Sequence, residues 1–326
     1  MLFDKFNRIH DYLRISLTDN CNFRCTYCMP EEKIQCLPNH KLMSSGEIIE
    51  IADVFVKLGI NKIRLTGGEP LLRKDFGEIF EGLSSLPVKM TITTNAFWLN
   101  RYIDLFKKTG LKSLNISIDS LDREKFFSIT KRDHFETVWS NILLMIEHGF
   151  DVKLNIVLMK NVNDDEINNF ILLTKDLPVH VRFIEFMPFD KNKWDRNKVI
   201  SFTDVFDNIY RDFDIIKLHD EKHDTSKKFK VTGHQGTFAF ITTMSQPFCV
   251  DCNRLRLTAD GKIKNCLFGK DELDLLSAFR EGQDIKNIIT ESVASKHFKM
   301  GGQFESGYLE TSADDVINRS MIKIGG

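Results

Sequence analysis

The sequence predicts an α/β fold with a parallel sheet. Three observations carry this. Short β-rich runs recur at 12–17, 62–65, 89–94, 113–118, 152–158 and 179–186. Segments with apolar residues at helical spacing lie between them, as crossovers between parallel strands require. Several runs alternate: Lys62 and Arg64 share one face with Ile63 and Leu65 opposite, and Lys153 and Asn155 share one with Val152, Leu154 and Ile156 opposite. Six such units form either an open doubly wound sheet or a partial barrel, and periodicity alone leaves both open.

The helices have legible ends. Ser44, with Glu47 three residues on, forms a capping-box pattern. Ile48, Ile51, Ala52, Phe55 and Leu58 then make an apolar stripe, and Gly59 stops it. A second helix is expected over 135–148, closed by Gly149. After about residue 200 the rhythm changes. The polar segment 217–230 reads as an exposed loop or irregular hairpin, followed by strand-like runs at 237–243 and 254–257 and a helix near 273–280. A boundary is therefore expected between 1–195 and 196–326. No internal repeat or low-complexity tract interrupts the chain.

Composition bounds the function. At roughly 150 residues per domain, 326 residues suggest two domains, or one large α/β domain with an appendage. With 42% apolar and 28% charged residues, collagen-like, coiled-coil and disordered readings are excluded. No apolar run approaches the ~20 residues that span a bilayer. The first residues lack the apolar core of a secretory signal. A net charge of 45 − 46 = −1 gives no global pull on nucleic acid or an anionic membrane. Neither is expected as a partner.

The seven cysteines are unusual in their placement. Cys21, Cys25 and Cys28 form one triplet, Cys249, Cys252 and Cys266 another, and Cys36 is left over as a bystander. An odd count with no export signal argues against disulfides, and two tight triplets argue for metal. The first follows the first strand directly, at the C-terminal edge where α/β folds bind ligands. A closed zinc site needs four ligands, and so does an all-cysteine [4Fe–4S] cluster. Three thiolates leave one iron of a cluster open. Spacing alone also admits zinc, with His10 or His40 completing the first triplet and His234 or His297 the second. His219, His223 and His234 otherwise read as surface residues.

The basic residues follow the strand alternation. Besides Lys62, Arg64 and Lys153, Arg14 lies in the first strand, Arg182 in the sixth, and Arg254 and Arg256 share a face just past Cys252. Strands covered by helices keep an apolar outer face, so these cations point inward. Buried unpaired cations are costly, so the cluster calls for a bound polyanion such as a triphosphate.

Cys-x3-Cys-x2-Cys with Tyr27 before its last cysteine resembles the signature of radical S-adenosylmethionine (SAM) enzymes. Gly67-Gly68-Glu69-Pro70, one βα unit later, resembles that family's segment for the SAM amino group. With the second triplet, the segments LRISLTDNCNFRCTYCMP, KIRLTGGEPLLRKDF, LNISIDSLD, VKLNIVLMKNVNDDEI, VRFIEFMP and CNRLRLTADGKIKNCLF are similar to the GTP 3′,8-cyclase family. Asn20 stands where Arg is usual, and Ala96 replaces the Gly of the usual TTNG.

The resemblance implies an incomplete parallel (βα)6 TIM-like barrel whose open side the C-terminal region closes. It implies two [4Fe–4S] clusters, each held by one cysteine triplet. SAM would be contacted by Tyr27, Gly68, Ser117 and Met187. GTP would be contacted by Arg14, Lys62, Arg64, Thr93, Lys153, Arg182, Arg254, Leu255 and Arg256, with guanine on the open iron of the second cluster. Reductive cleavage of SAM would give a 5′-deoxyadenosyl radical. That radical takes the ribose 3′ hydrogen, and closure onto C8 yields 3′,8-cyclo-7,8-dihydro-GTP, the first step of molybdenum cofactor synthesis. It further implies a cytoplasmic homodimer, a product passed to cyclic pyranopterin monophosphate synthase, and a Gly325-Gly326 tail entering the active site.

Overall fold

Side-chain alternation sets the layers in the computed structural model, which describes residues 1–29, 35–304, 307 and 316–325. The six predicted strands are β1 (Tyr12–Ser16), β2 (Lys62–Thr66), β3 (Lys89–Thr94), β4 (Ser113–Ser117), β5 (Asp151–Leu158) and β6 (His180–Glu185), each parallel to the next. Two further strands from the C-terminal region extend this run. β7 (Thr237–Ile241) pairs in parallel with β6, and β8 (Arg254–Leu257) pairs in parallel with β1. The order is thus β8-β1-β2-β3-β4-β5-β6-β7. Lys227–Val231 and Ile215–Lys217 continue beyond β7, and Lys262–Lys264 and Leu273–Asp274 beyond β8, all antiparallel. No pairing among the described residues joins the two ends, so the barrel is incomplete.

The outer face is apolar throughout: Leu13, Ile15, Ile63, Leu65, Leu114, Ile116, Leu154, Leu255 and Leu257 are fully buried. Covering it takes amphipathic helices. Helix Ser45–Lys57 starts at the expected capping box, in which Glu47 N donates to Ser44 Oγ (3.3 Å) and Ser44 N to Glu47 Oε2 (2.7 Å). It buries Ile48, Ile51, Ala52 and Phe55. Helix Phe135–Glu147 ends before Gly149, whose φ of 77° suits glycine. Full burial of each such Ile or Phe contributes about 2 kcal/mol, so the outer layer fixes which strand face looks inward.

Of the two alternatives for the polar segment the structure has the hairpin, and one helix boundary shifts. The polar segment near 217–230 is an antiparallel hairpin, with Phe229 opposite Lys217. The helix expected at 273–280 begins at Leu275, because Leu273 and Asp274 pair with Ile263 and Lys262; Asp274 then caps Ser277 N (2.9 Å).

Candidate active site

The inner face is polar and strongly basic. Registers align Arg256, Arg14, Arg64 and Thr91 across β8, β1, β2 and β3, with Arg254, Tyr12, Lys62 and Lys89 one layer nearer the strands' N-terminal ends. Across β5 and β6, Asn155 faces Arg182 and Lys153 faces His180. Among the described residues no carboxylate forms an ion pair with Lys62, Arg64, Lys153, Arg182, Arg254 or Arg256. Burial and then neighbouring cations lower the pKa of Arg14, Lys62, Arg182 and Arg256, and bring Lys153 down to about 8. Tyr12 Oη, Arg64 Nε, Thr93 Oγ1, Asn155 Oδ1 and Arg182 Nε are buried without a hydrogen-bond partner among the described residues. Such groups are costly, and here they face one cavity.

All six triplet cysteines line that cavity, together with Arg14, Arg64, Thr93, Arg182, Arg254, Arg256, Tyr27, Gly68, Ser117 and Met187. Lys62 and Lys153 stand behind its wall. Leu255 is a correction: its side chain belongs to the outer apolar layer beside Leu13, because it alternates with Arg254 and Arg256. Only its backbone borders the inner face.

The first triplet lies on the loop after β1, pinned from several sides. Arg24 N donates to Thr130 O (2.9 Å) and Thr26 N to Ile129 O (2.9 Å), while Phe23 is buried against Phe97 and Phe126. Cys28 N and Met29 N both turn back to Cys25 O (3.0 and 2.8 Å). The Gly67-Gly68-Glu69 turn clamps the loop's start: Gly68 N donates to Thr18 O (2.6 Å) and Glu69 N to Asn20 O (2.8 Å). A Cβ on Gly68 would lie 2.3 Å from Asn20 O, so only glycine permits this approach. Burial pushes Cys21 and Cys28 up to about 12.

Two buried carboxylates stand here: Glu69, which the sequence named only as part of its motif, and Asp119, which it did not single out. Glu69 accepts from Thr94 Oγ1 (2.8 Å), Asn95 N (2.7 Å) and Leu71 N (3.0 Å), and burial raises it to about 7. Asp119 accepts from Tyr27 Oη (2.8 Å) and Val157 N (2.9 Å), and burial raises it to about 6. The signal for Asp119 was available, since it lies two residues past Ser117 on the same rim.

The second triplet sits between β7 and β8 and beyond β8. Cys252 N donates to Cys249 O (3.2 Å), and Arg254 Nη2 lies 3.2 Å from Cys252 Sγ. Burial opposes ionisation of Cys252, but Arg254 and Lys296 bring it down to about 5. Behind it, Arg8 donates to Cys249 O (2.7 Å), Phe298 O (2.7 Å) and His297 O (2.9 Å), and is paired with Asp4 at 2.6 Å. No sequence pattern flagged Arg8 or Lys296, and His10, considered there as a ligand for the first triplet, lies instead beside Lys296 behind the second.

Met321 and Ile322 line the same cavity. Arg256 Nη1 donates to Gly325 O (2.8 Å), and Gly325, buried at φ 83°, sits against Ser16 and Thr66. Gly326 lies outside the described residues. Cys36 is exposed and His40 is exposed. His10 is buried against Lys296, and His234 bonds Thr174 Oγ1 (2.8 Å). None of these completes a triplet. Among the described residues no three His, Cys, Asp or Glu side chains converge on a point as a single ion requires. The three thiols of each triplet border one shared cavity. That donor set suits an iron–sulfur cluster with one iron open.

Parallel strands, a three-thiol loop after β1 and a glycine clamp after β2 together define a radical SAM protein. The model described as Radical SAM superfamily matches residues 15–174, and the one described as Molybdenum Cofactor Synthesis C matches 179–301. GTP 3′,8-cyclase, mitochondrial, of Arabidopsis thaliana is 46% identical over 100% of this chain and 84% of its own length. GTP 3′,8-cyclase of Listeria welshimeri is 40% identical over 100% and 99%. Molybdenum cofactor biosynthesis protein 1 of Homo sapiens is 44% identical over 99% of this chain, which spans 51% of that relative. The chain belongs to the GTP 3′,8-cyclase family. Streptococcus suis SuiB bound to S-adenosylmethionine shares the fold, with a TM-score of 0.62, 15% identity, and coverage of 97% of this chain and 77% of that one.

Proposed function

We propose that this chain is a GTP 3′,8-cyclase that converts GTP to 3′,8-cyclo-7,8-dihydro-GTP for molybdenum cofactor synthesis. The observation that carries the reading is one shared cavity: both cysteine triplets line it together with Arg64, Arg182, Arg254 and Arg256, which form no ion pair with a carboxylate among the described residues. Cys21, Cys25 and Cys28 would hold one [4Fe–4S] cluster, and Cys249, Cys252 and Cys266 the other. When bound, the first cluster with SAM supplies one-electron cleavage of SAM and removal of the ribose 3′ hydrogen.

The chain's own residues do the positioning. Tyr27, Gly68, Ser117 and Met187 are assigned to SAM, beside the first triplet. Arg14, Lys62, Arg64, Thr93, Lys153, Arg182, Arg254 and Arg256 are assigned to GTP. A triphosphate offers acceptors to the unpartnered Arg64 Nε, Arg182 Nε and Thr93 Oγ1 and neutralises the mutual repulsion that lowers Lys153 and Arg182. Holding the ribose against the SAM site turns an encounter into an intramolecular step, which lowers the barrier by several kcal/mol. Phe248, Phe268, Met300, Met321 and Ile322 line the remaining wall and exclude water. The same family reading carries a cytoplasmic homodimer and delivery of product to cyclic pyranopterin monophosphate synthase.

The test is anaerobic incubation of the reconstituted protein with GTP, SAM and a reductant, followed by mass analysis of the nucleotide. The expected product is an isomer of GTP, because the 3′ hydrogen lost is replaced by one at N7, so it is recognised as a second species of the same mass that separates from GTP on chromatography and appears only with SAM present. SAM cleavage unaffected by GTP, with GTP recovered unchanged, would refute the assignment.

A further inference from the structure

Lys296, just past helix Ile285–Ala294, is a lysine only 2% exposed with no carboxylate partner among the described residues. Its ammonium has three N–H donors, and three acceptors surround it: His10 Nε2 at 2.9 Å, Arg254 O at 3.1 Å and Cys252 Sγ at 3.5 Å.

The histidine decides the direction of these bonds. His10, fully buried, has Nδ1 3.0 Å from Arg8 O. A carbonyl oxygen only accepts, so Nδ1 carries the proton and Nε2 presents its lone pair. Lys296 is therefore the donor, and the neutral imidazole holds the ammonium without neutralising it. The Asp4 carboxylate, 3.9 Å from His10 Nε2, is committed to Arg8 at 2.6 Å. What remains to balance the Lys296 charge is sulfur. Arg254 adds a second cation on the same side, 3.2 Å from Cys252 Sγ, whereas among the described residues Cys249 Sγ receives the Met300 amide at 3.5 Å and no cation. An isolated buried ammonium is costly, so its retention calls for a bound anion. A cluster bearing three thiolates is one, and charge and hydrogen bonds at its sulfurs set its potential.

We propose that Lys296, oriented by His10, is a positioning residue that places a fixed positive charge against the Cys252 side of the group held by Cys249, Cys252 and Cys266, and so favours that group's reduced form. This rests on the reading that a cluster occupies the second triplet.

The test uses a Cys25→Ser parent, so that only the second centre contributes signals. The full chain is reconstituted anaerobically, its iron is counted, and its midpoint potential is read by EPR-monitored titration. In that parent, Lys296→Met is expected to shift the potential to more negative values, or to lower iron occupancy if the charge is needed for retention. Lys296→Gln, which keeps N–H donors without charge, should follow Met, and Lys296→Arg should recover the parent's behaviour. An unchanged potential with full iron in Lys296→Met would overturn the proposal. So would equal loss in all three variants, Arg included, because shape rather than charge would then decide. A parent that binds no iron at all would instead refute the cluster reading itself.

Discussion

Lys153 is the residue whose charge state is most exposed to test. It stands behind the cavity wall on β5, opposite Asn115 and His180. Burial, then Arg182, Arg64 and Lys62, lower it to about 8. The sign follows: below about pH 8 the ammonium attracts a triphosphate, and above it the neutral amine does not. GTP affinity is therefore expected to fall as pH rises from 7 to 9, on the order of tenfold if one close charge is lost. Lys153→Arg should flatten that slope, because a guanidinium stays charged. Equilibrium binding at the two pH values checks this, and an identical slope in Lys153→Arg would remove Lys153 from the site. At this scale the sequence was informative wherever alternation ruled. Arg14, Arg64, Arg254 and Arg256 share the inner face for the reason their spacing gives. The same rule excludes the Leu255 side chain, which entered only as part of a contiguous segment. Lys296 and Arg8 were illegible because their partners, Cys252 and Cys249, lie 44 and 241 residues away, and nothing local marks a buried cation.

Among the elements, the turn after β2 shows how a motif acts. Gly68 leaves room for Asn20 O, and Glu69, gathered by Thr94, Asn95 and Leu71, anchors the turn to β3's end. Gly68→Ala must push the backbone of the cysteine loop, at a cost of about 1–3 kcal/mol. It is expected to lower both the melting temperature and the iron retained by the first triplet. Gly46→Ala is the matched control: it lies in helix Ser45–Lys57, meets nothing within 4 Å, and should stabilise by about 0.5–1 kcal/mol. Thermal melts with iron counts separate the two, and a Gly68→Ala protein as stable and as iron-loaded as the parent would mean the clamp is dispensable. The motif was readable; its grip on Thr18 and Asn20 was not, since that contact joins two loops from different βα units. The six inner strands were readable to within a residue because hydrophobic period is local, whereas the strand expected at 237–243 ends at Ile241 and the helix expected at 273–280 begins at Leu275. The partners of β7 and β8 were not, because pairing at a sheet edge is decided by distant chain.

The whole molecule turns on those two edges. β6 hands over to β7 and β8 covers β1, so the C-terminal region lies on both flanks of the sheet that the N-terminal region builds. The sheet crosses the boundary expected near residue 195. A fragment ending there would expose β1 and β6 as long, flat edges of a parallel sheet, with unpaired N–H and C=O groups ready to join another copy. It would also lose the Arg254 and Arg256 layer and leave Arg14 and Arg64 at an open border. Parallel strands need cover on both faces and partners on both sides, and their slow, non-local pairing favours aggregation when cover is missing. Residues 1–195 expressed alone are therefore expected to aggregate, or to give no cooperative thermal transition, while the full chain melts as one unit. Adding residues 196–326 as a separate polypeptide should recover soluble material only if both arms reach their edges. Size-exclusion chromatography with circular-dichroism melts gives the answer. A monomeric, cooperatively melting 1–195 fragment would mean that the inner six strands stand without their flanks, and that the two regions meet as partners around the cavity rather than as parts of one sheet.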